Sequence, residues 1–342
     1  MSDPVSGRSQ DITGGPDRAT GRDDGVKGGA QVAILLASFN GAPHIACQLD
    51  SLTAQDWRAW RLVVSDDGST DATRGLVEDF AQRHPGRDIR IVEGPRDGAT
   101  RNFLSLLAHA EPGEWLAFCD QDDAWLPHRL SRGMAVLASG AAPPDRPAAT
   151  SSRTIICDEN LRELAPAPLY TRPPSFRNAL VQACMPGNTF LGNPAAAALL
   201  REGAGAAFEA GVISHDWWAY QLLSGAGARL VRDPQTTVLY RQHRGNVMGR
   251  NDTWRARLAR MAMLGAGDYG TWLRANVAAL QGARHLLKPA NRDLMDGFAA
   301  TLRAPGPVAA VRMARMGLYR QTSTGTAALL AAAAAGRLRE RG

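Results

Sequence analysis

From Gln31 onward, short apolar runs alternate with segments whose apolar residues recur at helical spacing. The runs 32–37, 62–65, 89–92 and 115–119 are bounded by polar or turn residues, the pattern of strands buried on both faces. Helices fit between them. Residues 44–54 align Ile45, Leu49 and Leu52, residues 71–83 align Leu76, Val77 and Phe80, and residues 99–110 align Phe103, Leu104 and Leu107. This alternation predicts a parallel sheet with crossover helices. After Leu137 the pattern loosens. Residues 141–147 read as a Pro/Ala turn, residues 163–174 as a proline-rich loop, and strands return at 150–157, 189–192, 229–231 and 236–240. From Trp254 the chain reads as helices broken near Lys288-Pro289 and at 304–307, without an internal repeat.

In open α/β sheets ligands bind beyond the carboxyl ends of the strands. Here polar groups gather at that edge four times: Ser38-Phe39-Asn40, Asp66 to Asp71, Glu93-Gly94-Pro95 and Asp120 to Asp123. The last group packs three carboxylates into four positions, Asp120-Gln121-Asp122-Asp123. Like charges so close cost stability unless a cation or donors offset them. Asp120 and Asp122 alternate to one side of an extended segment, so both can serve one hard cation, Mg2+ or Mn2+. The competing reading is an acidic turn with Asp123 as helix cap and Pro127 early in the helix.

Asp66-Asp67-Gly68-Ser69-Thr70-Asp71 ends a strand and opens a helix. Gly68 permits the turn, Ser69, Thr70 or Asp71 caps the helix, and Asp66 or Asp67 offers an acceptor for a nucleotide base. Neither GxGxxG nor GxxxxGK[ST] occurs there, which excludes ordinary dinucleotide enzymes and P-loop ATPases. In Ile213-Ser214-His215-Asp216-Trp217-Trp218 the default role for Ser214 or Asp216 is helix capping; the flanking tryptophans instead suggest a general base whose proton affinity aromatic surface raises, beside a ring on which a sugar stacks. Tyr240-Arg241-Gln242-His243 follows a strand and suits a diphosphate, with Arg241 as a fork of donors and His243 as donor or metal ligand.

Composition adds bounds. The 342 residues allow one large or two modest domains, and the formal charge of +6, carried largely by arginine beyond residue 240, suits an anionic partner. Cys47, Cys119, Cys157 and Cys184 lack zinc spacing and read as reduced thiols. Residues 1–29 are rich in Gly, Asp and Ser and read as a disordered tail without a signal peptide. The apolar run 327–335 is too short to span a bilayer. The expectation is a cytoplasmic protein, peripheral at the inner face of the cytoplasmic membrane.

In order and content these segments resemble the glycosyltransferase family 2 enzymes of the GT-A fold, in their bacterial rhamnosyltransferase-like branch. Four motifs carry the likeness: Leu36-Ala37-Ser38-Phe39-Asn40-Gly41, Ser65 to Asp71, Phe118-Cys119-Asp120-Gln121-Asp122-Asp123-Ala124-Trp125-Leu126-Pro127, and His215-Asp216-Trp217-Trp218 with Tyr240-Arg241-Gln242-His243. The likeness is strong over residues 31–249. It implies a Rossmann-like, mostly parallel sheet flanked by helices over residues 30–249, with a nucleotide-sugar half at 30–140, an acceptor half at 141–249 and a helical extension at 250–342. Ser38, Phe39, Asn40, Asp66 and Asp67 would meet the nucleoside, Arg101, Asn102, Gln121 and Trp217 the donor, and Asp123 would order the loop or touch the donor sugar. Asp120 and Asp122 match the DxD metal motif, with His243 as a further ligand and Arg241 near the diphosphate. Asp216 matches the general base. The sequence departs from the family pattern at Pro186-Gly187-Asn188-Thr189, which follows Ala183-Cys184, and at His215.

The activity implied is inverting transfer of a sugar, rhamnose by the branch resembled, from a dTDP or UDP donor to a glycan or lipid-linked acceptor in cell-surface polysaccharide synthesis. No nucleic acid is implied. The alternatives are a catalytically inactive nucleotide-sugar or glycan binder of the same fold, and a DxD phosphatase, disfavoured because Ala124 stands where those enzymes carry Thr or Val. Arg255, Arg257 and Arg260 beside Leu258, Met261 and Leu264 suggest a basic amphipathic helix that either lies on anionic lipid or packs on the catalytic domain.

Overall fold

The computed structural model describes residues 30–139, 145–243 and 268–339. Residues 1–29 and the Trp254 segment lie outside them. The strands are β1 (Val32–Ser38), β2 (Trp60–Asp66), β3 (Ile89–Glu93), β4 (Trp115–Asp120), β5 (Ala124–Trp125), β6 (Ala148–Cys157), β7 (Glu163–Pro166), β8 (Phe190–Gly192) and β9 (Arg229–Arg241). They form one sheet in the order β3-β2-β1-β4-β8-β6-β9-β5, with β7 on β6. The pairs β1–β2, β1–β4, β2–β3 and β6–β9 are parallel, whereas β8 runs antiparallel to both β4 and β6. The expected mixed α/β architecture, with its mostly parallel central sheet, is the one found.

The crossover helices are α1 (Ile45–Thr53), α2 (Thr73–Arg83) and α3 (Ala99–Leu106), followed by α4 (Arg129–Ala138), α5 (Phe176–Ala179), α6 (Pro194–Ala210) and α7 (His215–Ala226). Alternation along β1 shows why both faces need cover. Val32, Ile34 and Leu36 enter one core with Ile45, Leu49, Leu52, Val77 and Phe80. Ala33, Leu35 and Ala37 enter the other, with Phe103, Leu104 and Leu107. The C-terminal helices α8 (Asp268–Gly282), α9 (Pro289–Leu302), α10 (Gly306–Arg315) and α11 (Ser323–Ala334) extend that second core through Leu273, Leu280, Phe298 and Met313. None of the described helices is long and apolar enough to cross a membrane.

Three expectations are corrected. Strand β3 is not doubly buried: it is the sheet edge, with Ile89, Ile91 and Val92 half-buried and Arg90 and Glu93 exposed. Part of the loop at 163–174 is strand β7, whose short proline-ended run pairs with Ile155–Cys157. The runs at 229–231 and 236–240 belong to one strand. Its pairing with β6 slips between Ser151 and Thr154, where Asp233-Pro234-Gln235 loops out and the buried Asp233 carboxylate holds Arg132 at 2.7 and 2.9 Å.

Candidate active site

Parallel register places the polar strand ends side by side: Ser38 is paired with Asp66, and Ala37 with both Ser65 and Asp120. The loops after β1 and β2 interlock. Asn40 takes a left-handed conformation (φ 46°), its backbone N–H donates to Ser69 Oγ at 2.9 Å, and its side-chain carbonyl accepts from Thr70 N–H at 2.9 Å. Gly41 N–H donates to Thr73 Oγ1 and Ala42 N–H to the Asp71 carboxylate. Phe39 is left 54% exposed at the mouth of the cleft.

Asp66 and Asp67 divide their duties. The buried Asp66 accepts from Ser38 Oγ, Ser69 N–H and Ser69 Oγ, which fixes it at the carboxyl end of β2. Asp67 turns away: its two oxygens accept from Arg96 N–H at 2.6 Å and Gly98 N–H at 2.9 Å, holding the loop after β3. Asn102 is buried and donates to Ser65 C=O at 3.0 Å, bracing the same strand ends from α3.

In the acidic segment each residue has a different job. Gln121 clamps Phe39: its Oε1 accepts from Phe39 N–H at 2.9 Å and its Nε2 donates to Phe39 C=O at 3.0 Å. Gly41 makes room for this, since a Cβ there would lie 2.0 Å from Gln121 Oε1. Asp123 is fully buried, accepting from Asn188 Nδ2 at 2.7 Å and Arg241 N–H at 3.1 Å; burial and then the Asp122 and Asp120 charges push its carboxyl well above the usual range. Asp123 therefore orders the loop. Asp120 is the contrast. Among the described residues no donor reaches its carboxylate, and burial, Asp122 and Asp216 push it up to about 8.

Asp122 Oδ2 lies 2.8 Å from His243 Nε2, and the His243 ring meets His44 at 4.7 Å between centroids. Burial, together with Arg241 and His243, keeps His44 less readily protonated than usual. Arg241 is buried and faces main chain: Nε donates to Asp122 C=O at 2.7 Å and Nη1 to Glu159 C=O at 2.5 Å, so it props the acidic loop from behind.

Asp216 sits in the first turn of α7, whose cap is Ser214. Its Oδ2 accepts from Gly187 N–H at 3.0 Å, and Oδ1 accepts from Trp217 N–H at 2.7 Å and from Ser214 Oγ. These contacts fix the carboxylate within electrostatic reach of Asp120. His215 stacks on Phe103 at 3.9 Å, and burial lowers it to about 4, so the ring is neutral at pH 7.

Two expected donor contacts lie elsewhere. Trp217 is 5% exposed, its indole N–H donates to Ala179 C=O at 2.7 Å, and its ring stacks on Tyr269 in the core, because its helical position points inward. Trp218 is fully buried. The tryptophans thus shield neither the Asp216 carboxylate nor a sugar. Arg101 pairs with Asp97 one turn back and lies over Phe208, on the outer side of α3.

Three participants were missed. Arg129 is buried under the acidic loop, donating to Phe118, Asn188 and Phe190 carbonyls, and burial lowers it to about 9. Asn188 holds Asp123, and His44 backs His243. Arg129 and His44 had no signal beyond residue type, and Asn188 stood out only within the departure at Pro186-Gly187-Asn188-Thr189, since each reaches the site only through the fold.

The donor set fits a hard divalent cation. Asp120 and Asp122 are oxygen donors that repel one another, and the Arg129 guanidinium offsets only part of that repulsion at Asp120. Among the described residues no three His, Cys, Asp or Glu side chains are gathered to hold a metal ion, so the expected three-residue set of Asp120, Asp122 and His243 is not found.

Residues 33–182 match the family described as glycosyl transferase family 2. An uncharacterised protein of Mycobacterium tuberculosis is 27% identical over 214 residues, covering 62% of this chain and 59% of that protein, so the chain spans about three-fifths of that relative's length. The dTDP-rhamnosyl transferase RfbG of Shigella flexneri is 25% identical over 286 residues, covering 78% of this chain and 90% of RfbG. Among solved structures, S. aureus TarS 1–349 in complex with UDP-GlcNAc superposes with a TM-score of 0.55 at 15% identity, over 90% of this chain and 88% of that one. The shared architecture is the GT-A fold.

Proposed function

The chain carries a glycosyl transferase family 2 domain over residues 33–182, and from that premise we propose that it is an inverting glycosyltransferase using a nucleoside diphosphate-sugar donor, with Asp216 as general base. The observation that carries this reading is the Asp216 carboxylate, held by three donors within electrostatic reach of Asp120.

The nucleoside lies against Phe39 and Ser38, with Asp66 accepting from its base. The acceptor hydroxyl gives its proton to Asp216 as its oxygen bonds to the anomeric carbon, and the bond to the diphosphate breaks on the opposite face, the leaving oxygen keeping the electron pair. Mg2+ or Mn2+ held by Asp120 and Asp122 would neutralise charge on that diphosphate. His243 steadies Asp122, and Arg241 fixes its backbone, so the Asp122 carboxylate is positioned before substrate arrives.

For the donor we propose dTDP-rhamnose, with UDP-sugars as the next class, supported by the coverage shared with a dTDP-rhamnosyl transferase. The acceptor is a glycan or a lipid-linked glycan in cell-surface polysaccharide assembly, and the enzyme works at the inner face of the cytoplasmic membrane. The test is a donor screen that reads nucleoside diphosphate release with Mg2+ or Mn2+. Asp122→Ala and Asp216→Asn should both lose transfer, the second by about 10²–10⁴-fold with donor binding intact. Near-normal turnover of Asp216→Asn would overturn the base assignment, and donor binding without turnover by the unmutated chain across the screen would favour an inactive binder.

A further inference from the structure

Helices α10 and α11 form a hairpin on the outside of the second core. Ala309 and Met313 of α10 point inward. Val308, Val311, Arg312 and Arg315, spaced i, i+3, i+4 and i+7, share the opposite face, and all are exposed, the valines at 41% and 52%. Helix α11 has no charged residue, yet Ala327, Ala331 and Ala334 are also exposed.

Along this stretch of chain charge has one sign, between Asp296, which pairs with Arg284, and Glu340. Residues 297–339 contain no Asp or Glu. Arg303, Arg312, Arg315, Arg337 and Arg339 are exposed and have no side-chain partner among the described residues. A Cβ on Gly306 would meet Ala334 C=O at 2.2 Å and Gly336 N at 2.8 Å, so the start of α10 abuts the end of α11. Arg303 precedes the start of α10 and Arg337 and Arg339 follow the end of α11, while Arg312 and Arg315 lie beyond Val308 and Val311 on the same face of α10.

We infer that the α10–α11 hairpin is a docking surface for an anionic lipid bilayer. Exposed valines between arginines match such a leaflet: the valines enter the headgroup boundary while the guanidinium groups meet lipid phosphates. A second copy of the chain is disfavoured, because a two-fold contact through this face would set arginines against arginines. An acidic glycan would leave the valines without an apolar partner. The inference rests on the proposed function only in giving membrane residence a purpose, access to a lipid-linked acceptor.

The experiment is co-flotation of the full chain, without donor or acceptor, on vesicles of phosphatidylcholine alone or mixed with phosphatidylglycerol. Binding should require phosphatidylglycerol and weaken with salt. Arg312→Glu/Arg315→Glu should lower the partition coefficient about thirtyfold or more, and Val308→Asp/Val311→Asp should lower it at low salt as well. Unchanged thermal melting and unchanged nucleoside diphosphate release would show that both variants fold. The inference is overturned if pure phosphatidylcholine binds equally, if folded variants bind as before, if the chain dimerises through this face, or if it takes up an acidic polysaccharide but no vesicles. The Trp254 segment is intact in both variants, so retained binding would place docking outside the hairpin. Vesicle binding by a chain that transfers no sugar would sink the proposed function alone.

Discussion

Replacing Asp120 by Asn should make the protein more stable in alkaline, metal-free solution while abolishing sugar transfer. The Asp120 carboxyl is pushed from 3.8 up to about 8 by burial, Asp122 and Asp216. Between those values the unfolded chain has released a proton that the folded chain keeps, so stability falls as pH rises through the window. At about 1.4 kcal/mol per pH unit the ceiling is roughly 5–6 kcal/mol; halving it for the partial exposure of the carboxylate leaves roughly 2–3 kcal/mol. Asn cannot titrate and forfeits no hydrogen bond here, so Asp120→Asn should escape this loss. The assay is urea unfolding of both proteins at pH 4, 6 and 8.5 with EDTA. The two curves should diverge as pH rises, with the variant gaining roughly 2–3 kcal/mol by pH 8.5. Parallel pH profiles would refute the reasoning. Adding Mg2+ or Mn2+ at pH 8.5 should stabilise the unmutated protein, by about 2.7 kcal/mol at a hundredfold excess over Kd, and the variant far less.

Other outcomes follow from particular contacts. Gly41→Ala would force Gln121 out of its clamp on Phe39 and should raise KM for the donor about tenfold with little change in melting temperature, since the clamp is worth about one or two hydrogen bonds; an unchanged KM would free Phe39 of a role in donor binding. Asn188→Ala removes a side-chain donor from buried Asp123 and should cost roughly 2–3 kcal/mol in urea unfolding, whereas a loss below about 0.5 kcal/mol would show that water replaces it. In native conditions a thiol reagent should label Cys47 alone, because Cys119, Cys157 and Cys184 are buried and burial raises their thiols; rapid labelling of a second cysteine would contradict that packing.

The strand ends were legible because doubly buried strands leave contiguous apolar runs, and the residue after each run has to emerge at one edge. Ser38, Asp66 and Asp120 were placed at that edge for this reason, and the register of β1 with β2 and β4 bears out the positions. Direction was harder to read. Asp66 and Asp67 are adjacent, and nothing in the sequence says which faces the cleft; the backbone of the next loop claims Asp67. Trp217 invited a sugar-stacking role by its chemistry, but helical phase put it in the core. Arg129 could not be singled out at all, and the role of Asn188 could not be read from its loop, because their partners lie across strands whose pairing the sequence does not specify.

The clamp between Gln121 and Phe39 has a mechanical consequence. A side-chain amide that pairs with both main-chain groups of one residue behaves like a rung added between two loops, so the loop after β1 and the carboxylate-bearing loop are tied to one another. Arrival of a nucleoside at Phe39 would then be felt at Asp120 and Asp122 through the residue that separates them, and the middle letter of the acidic triplet becomes the rod that links recognition to charge.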